Sequence, residues 1–323
     1  MKKIIFFLII NLIIIVFVIP LIVYINFSKK LDIEYDYDNQ SNKNDINIEV
    51  YSPKTEKDET TPFEEYIKGV VCAEMPALFE NEALKAQAVC ARTYAFREIQ
   101  AMGKGIDVVP NPSDIGQAFL TKEELKQKWG EKFDEYYSKV ENAVNETRGE
   151  IMIYNDEPIL AVFHSTSAGR TENSENIWIS PLPYLKSVDS KGDLYAPQYE
   201  YNKEISYDDI KNLFVDKYPD IVFDNSPLIS QINIYSRSEA GYITSMNVGN
   251  IKLSGLEFRN VLGLRSANFT MNDTGKSIVF TTKGYGHGAG MSQYGAQAMA
   301  KEGYNYKEIL LHYYTNIDFK NIN

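Results

Sequence analysis

The sequence predicts an α+β fold: a helical lobe packed on a β-rich lobe of mixed or antiparallel strands, with a groove between the two, behind an N-terminal transmembrane helix. Two patterns within the 323 residues predict the lobes. Between positions 61 and 147 apolar residues recur at helical spacing, whereas from 148 onward short alternating runs are bounded by Gly, Pro, Asn and Asp. Helices gathered in one stretch and strands in another indicate α+β rather than alternating α/β architecture. The third observation is the uncharged run from Ile4 to Phe27, which follows Lys2 and Lys3. As a helix it spans roughly 36 Å, enough to cross a bilayer.

The expected organisation is an anchor over 1–30, a flexible tether over 31–45 and one large domain over 46–320, helical in 61–147 and β-rich in 148–320. A cleaved signal peptide is the competing reading of the first segment. It needs a shorter apolar core and a small-residue cleavage site, and the run ends instead at Tyr24, Ile25, Asn26 and Phe27. Lys2 and Lys3 favour a cytoplasmic N-terminus, although Lys29 and Lys30 flank the other end. The tether is polar and acidic with no apolar period.

A first strand is expected over 46–51. The helix after it has Thr61 as a candidate N-cap, Pro62 at the first position and Glu64 closing a capping box. Phe63, Tyr66, Ile67, Val70 and Val71 form its buried stripe, and Pro76 stops it. A second helix runs over about 82–100, with Leu84, Ala88, Ala91 and Ala95 on one face. Lys85 and Arg92, seven residues apart, point the same way. Residues 103–119 read as loop and 122–147 as largely solvated helix. Strands are expected over 150–154, 159–164, 230–235, 242–248 and 277–282, with helices over 207–217, 252–262 and 292–300. Cys72 and Cys90 sit beside apolar residues and read as small core residues, with pairing left open.

A net charge of −11 argues against nucleic acid, whose phosphates need clustered Lys and Arg. It does not argue against a glycan, and 23 Tyr supply aromatic faces. Chemistry concentrates in three segments. In the first, Glu74 sits at a helix end beside apolar residues. Lost hydration and the partial negative charge of the helix C-terminus both raise a carboxyl pKa, as a general acid at neutral pH requires. A surface Glu beside a helix-ending Pro is the plainer alternative. The second segment, 163–173, is a strand entering a loop dense in hydroxyls: His164, Ser165, Thr166, Ser167 and Glu172. It could bind sugar hydroxyls or be a capped turn. The third, 284–293, alternates glycines around His287 and opens a helix at Ser292 and Gln293. A dinucleotide fingerprint is rejected, because fewer than forty residues remain and no second parallel strand carries an acidic ribose ligand. Alternating glycines let the backbone approach a ligand or another chain closely. The three His are far apart and the two Cys lack ligand spacing, so no metal is expected.

Taken together, "PFEEYIKGVVCAEMPALFENEALKAQAVCARTYA", "FHSTSAGRTENSENIW" and "GYGHGAGMSQYGAQAMAKEGYNYKEILLHYY" resemble the stage II sporulation protein D (SpoIID) family, over about residues 60–316. The resemblance implies a lytic transglycosylase, a lyase that cuts peptidoglycan between N-acetylmuramic acid and N-acetylglucosamine. It leaves 1,6-anhydro-muramic ends, prefers strands stripped of stem peptides, and acts at the septal and engulfing membrane during sporulation. It also implies two partners, an amidase (SpoIIP) and a membrane protein (SpoIIM). The family's catalytic Glu falls on Glu74 and its basic helix positions on Lys85 and Arg92. His164, Ser165, Thr166, Ser167 and Glu172 are expected to line the groove, with His287, Ser292 and Gln293 on its other wall. Some members bind zinc through a His and two Cys in the loop that here reads "GIDVVPNPSDIGQAF". Gln117 is kept and the ligands are not, so neither zinc nor any other cofactor is expected. Two other roles are weighed: a glycan-binding amidase enhancer that does not cut, and a septal scaffold bridging wall and membrane.

Overall fold

The structure, a computed structural model, describes residues 47–52, 57–101, 116–178 and 180–322. The expected anchor and tether lie outside these residues. Among the described residues no helix is long and apolar enough to cross a membrane.

An antiparallel hairpin opens the fold, β1 (Asn47–Ser52) pairing with β2 (Lys57–Pro62). Helix α1 (Phe63–Glu74) follows without a break. The expected capping box does not form. Pro62 is the N-cap and offers no side-chain acceptor, Thr61 Oγ1 donates to Glu59 O, and the Glu64 carboxylate is taken by Arg92. The strand runs up to the helix and leaves no room for a separate cap. At the other end Met75 is extended (φ −126°, ψ 139°), as a residue before proline must be.

Helix α2 (Asn81–Ala101) is the axis of the helical lobe. Its small face, Ala88, Ala91 and Ala95, is fully buried and lets neighbouring backbones approach. The region expected as one solvated helix is two, α3 (Lys122–Trp129) and α4 (Phe133–Glu146), joined by a 3-10 turn. A Thr121–Glu124 capping box starts α3. Only α3 is mostly solvated. Helix α4 buries Tyr137, Val140, Ala143 and Val144 against α1 and α2.

Strand β3 (Glu150–Tyr154) turns at Asn155 and Asp156, both at positive φ, into β4 (Glu157–Pro158). The strand expected over 159–164 is interrupted, because Val162 N–H donates to Leu160 O (2.9 Å) and bends the chain. Only β5 (Phe163–His164) remains.

The β-rich lobe starts with β6 (Glu200–Ser206) and α5 (Tyr207–Lys217). Next come β7 (Ile232–Arg237), β8 (Ile243–Val248), β9 (Ile251–Leu253), α6 (Gly255–Leu262), β10 (Phe269–Asp273) and β11 (Ser277–Lys283). Two three-stranded antiparallel sheets, β10-β11-β6 and β7-β8-β9, enclose a core with Phe214, Phe258, Phe269 and Phe280 at its centre. The chain then returns to the helical lobe. Strand β12 (Met291–Ser292) pairs in parallel with β5, α7 (Gln293–Lys301) and α8 (Tyr306–Tyr313) pack on α2, and β13 (Asp318–Asn321) pairs with β3. The fold is α+β, with its last two helices packed in the helical lobe.

Candidate functional site

Glu74 is the last residue of α1 and is half-buried. Its carboxyl is held above the ordinary value because burial strips water from it; one backbone hydrogen bond, from Ala118 N–H to Oε1 (3.2 Å), works the other way. No cation or second carboxylate among the described residues contributes to that shift. The segment supplying Ala118 is docked on α1. Phe119 stacks on Tyr66 (5.4 Å between centroids), and a Cβ at Gly69 would lie 2.3 Å from the Phe119 ring. That close approach explains the glycine inside the helix.

Gln293, the first residue of α7, donates from Nε2 to the Glu74 carbonyl oxygen (3.0 Å) and to Gln87 Oε1 (3.3 Å). The Glu80 N–H donates to Gln297 Oε1 (2.6 Å), one turn further along α7. The C-terminus of α1 and the start of α2 are therefore fixed to α7 by side chains more than 200 positions away in sequence.

Lys85 and Arg92 of α2 are occupied elsewhere. Arg92 is 0% exposed and grips Glu64 with two bonds, Nε to Oε1 (2.9 Å) and Nη2 to Oε2 (2.7 Å). It also donates to Glu150 O (3.1 Å) and Val144 O (3.3 Å). Lys85 lies between Glu82 and Glu146, at 2.6 Å from each. The two point the same way, and both meet carboxylates other than Glu74. Gln117 is buried too, accepting from Tyr66 Oη (2.9 Å) and donating to Ala91 O (3.1 Å).

The hydroxyl loop and the glycine-rich turn were expected on opposite walls of a groove. They instead pack directly against each other. Thr166 and Tyr285 exchange backbone hydrogen bonds (3.0 and 2.7 Å), and Glu172 N–H donates to Gly288 O (2.7 Å). Gly286 (φ 122°) has His164 where a Cβ would point, and Gly290 (φ 70°) has the Val162 carbonyl. The glycines thus serve the approach of the chain to itself.

The side chains between these segments are largely satisfied internally. His164 and His287 lie 5.5 Å apart by ring centroids, and Trp178 covers His287 at the same separation. Burial drives His164 down to about 3 and His287 to about 4, so both are neutral at physiological pH. His164 Nδ1 faces Ala289 O (3.0 Å), which requires the proton on Nδ1 and leaves the buried Nε2 without a partner among the described residues. Ser167 and Ser292 both donate to Asp193, which is fully buried and whose carboxyl burial pushes up. Ser292 also caps α7 through Gly295 N–H. Glu172, 1% exposed, accepts from Asn173 N–H and Asn176 Nδ2 (2.8 Å each) and from Ser238 of the β-rich lobe. Thr166 is buried as well, while Ser165 stays partly open.

Asp193 went unread in the sequence. It lies in "SKGDLY", which looks like any polar turn, and only the fold brings it to two serines 26 and 99 positions away. No group of three or more His, Cys, Asp or Glu is placed to hold a metal among the described residues.

Comparison with known proteins yields one consistent family. Residues 51–154 match the SpoIID family model, described as stage II sporulation protein. The chain is 38% identical over 278 residues to the stage II sporulation protein D of Bacillus amyloliquefaciens, covering 84% of this chain and 78% of that protein. It is 37% identical over 273 residues to the stage II sporulation protein D of Bacillus subtilis (strain 168), covering 83% and 77%. To the amidase enhancer of Bacillus subtilis (strain 168) it is 29% identical over 298 residues, covering 77% of this chain and 39% of that protein.

Proposed function

This chain belongs to the stage II sporulation protein D family, and from that premise we propose that it is a lytic transglycosylase of the sporulating cell wall with Glu74 as its acid and base. The observation that carries this reading is Glu74 itself: a desolvated carboxyl at a helix C-terminus, with a raised pKa and no cation among the described residues to keep it ionised. The protonated acid gives its proton to the glycosidic oxygen between muramic acid and glucosamine. As oxocarbenium character develops at the muramic acid, the carboxylate takes the proton of that sugar's own 6-hydroxyl, which closes the 1,6-anhydro ring. The step needs neither water nor the second carboxylate of most glycosidases. The proposal includes an N-terminal anchor over 1–30 with the domain outside the membrane, a substrate groove reaching Glu74, and the amidase and membrane protein implied above as partners.

Mass spectrometry of products from strands with and without stem peptides tests the reaction. Anhydro-muramic ends, formed mainly from stripped strands, are expected. Reducing ends would mean a water-using hydrolase. Uncut but bound strands, with faster turnover of an added amidase, would favour the activity named for the 29% identical relative.

Two further outcomes follow from the geometry. The acid must be protonated, so turnover falls as pH rises through the Glu74 pKa, and that limb lies above the ordinary value of 4.5. A limb at or below 4.5 in a pH–rate profile would contradict the assignment. Gln293→Ala releases the Glu74 carbonyl. Turnover should drop on the order of 10- to 100-fold with strand affinity kept, because misplacing a reacting group by about 1 Å has that effect. Unchanged turnover would show that the Gln293 bond does not position Glu74.

A further inference from the structure

Two arginines beside the glycine-rich turn are cations without counter-ions among the described residues. Arg259 and Arg265 form no ion pair with any carboxylate among the described residues, in a chain whose net charge is −11. Arg259, partly buried, spends Nε on Arg265 O (3.1 Å) and Nη1 on the Asn260 amide oxygen (3.3 Å). Burial lowers its pKa, as expected of a desolvated cation. Arg265 lies with its guanidinium carbon 3.8 Å from the centroid of the Tyr201 ring and 5.4 Å from that of Tyr285. It donates to Gln198 Oε1 (2.8 Å), and its other guanidinium donors have no partner among the described residues. Both rings are open to solvent, Tyr201 at 40% and Tyr285 at 52%. Gln198 is one of the few non-glycine residues at positive φ (56°), a conformation that needs support from its surroundings.

This cluster is continuous with the Glu74 site through backbone contacts. Gly286 N–H donates to Arg265 O (2.9 Å), Tyr285 and Thr166 exchange hydrogen bonds, and Tyr294 N–H donates to Ser165 O (3.1 Å). Tyr294 follows Gln293, which holds Glu74.

We propose that Tyr201, Arg265 and Tyr285, backed by the charge of Arg259, form a remote glycan subsite that recognises a carboxylate-bearing sugar. Exposed tyrosine faces take the apolar face of a pyranose, and the stacked, planar guanidinium offers paired N–H donors to a carboxylate. This rests on the reading of the chain as a glycan-strand enzyme and adds a discriminating residue to it. In a peptidoglycan strand the lactyl group of muramic acid is an amide while a stem peptide is attached, and it becomes a free carboxylate when an amidase hydrolyses that bond. Arg265 thereby supplies a physical cause for a preference for stripped strands.

The test reads binding, not cleavage, so it does not depend on the reaction. The full chain carrying Glu74→Gln is titrated with stripped strands, with the same strands after their lactyl carboxylates are converted to amides, and with neutral N-acetylglucosamine oligomers of equal length. Stripped strands should bind on the order of tenfold tighter than either neutral ligand, as expected for one charge-assisted contact. Adding Arg265→Gln should bring stripped strands down to the neutral level and leave the neutral ligands unchanged. Equal binding of all three ligands, or an equal loss on all three in the variant, overturns the subsite. The amidated strand poses the question without altering Arg265, so it stands even where that variant folds poorly. Absence of anhydro ends with the unsubstituted chain, alongside this charge preference, would overturn the transglycosylase reading and leave the subsite standing.

Discussion

Glu74→Gln should remove the anhydro product of the proposed reaction while the chain stays folded and still binds strands. General acid–base groups contribute about 10²- to 10⁴-fold, and in the proposed reaction one residue both gives and takes the proton, so the loss should lie at the upper end. The amide retains the local structure for a specific reason. Among the described residues only Oε1 of the carboxylate has a partner, the Ala118 N–H, and a glutamine oxygen accepts that bond equally well. Stability should hold or rise slightly, since burial already disfavours the charged form that the variant deletes. Product analysis together with an unfolding curve decides the matter. Retained cleavage would remove Glu74 from the mechanism. Lost cleavage with lost folding would make the residue structural.

What the sequence made legible is what local chemistry determines. The apolar stripe of α1, its stop before Pro76, the small face of α2 and the start of α7 beside Ser292 depend on residues close in the chain, and each appears where its pattern placed it. Long-range partners were not legible. Glu64 reads as the end of a capping box until Arg92, 28 residues on, takes its carboxylate. Strands β6 and β10 carry no sequence signal, because they bury few side chains, chiefly Ile205 and Phe269, and so show no alternation. The candidate site divides in the same way. The local pattern places Glu74 at its helix end, and the catalytic role expected of it comes from the family resemblance. The internal roles of Ser167, Ser292, Glu172 and Gln293 required knowing what the fold brings to them, since a hydroxyl or amide in a glycine-rich segment looks equally suited to a sugar or to its own backbone.

The same distinction gives a second large effect, at Arg92. By family resemblance it is a site residue, and by position it is a tie within the core. Its guanidinium holds Glu64 in α1, the Val144 carbonyl in α4 and the Glu150 carbonyl at β3, and Glu64 also accepts the Gly149 N–H (3.0 Å). Both partners of this pair are buried, Arg92 at 0% and Glu64 at 6% exposure. Arg92→Met leaves that carboxylate without its cation, and losses of about 3–5 kcal/mol follow from such uncompensated burial. A substantial part of the stability of an ordinary domain would go with it. The double variant Arg92→Met, Glu64→Leu should recover most of the loss, because a buried ion pair exchanged for apolar side chains of similar size is often neutral. Lys85 supplies the contrast. Its partners Glu82 and Glu146 are 30% and 58% exposed, so Lys85→Ala should change stability by less than about 1 kcal/mol. Urea unfolding of these variants beside their turnover separates the roles. An Arg92→Met protein with an unchanged midpoint and weakened strand binding would return Arg92 to the site. A shifted midpoint that the double variant restores would place its contribution in holding α1, and with it Glu74, against the rest of the helical lobe.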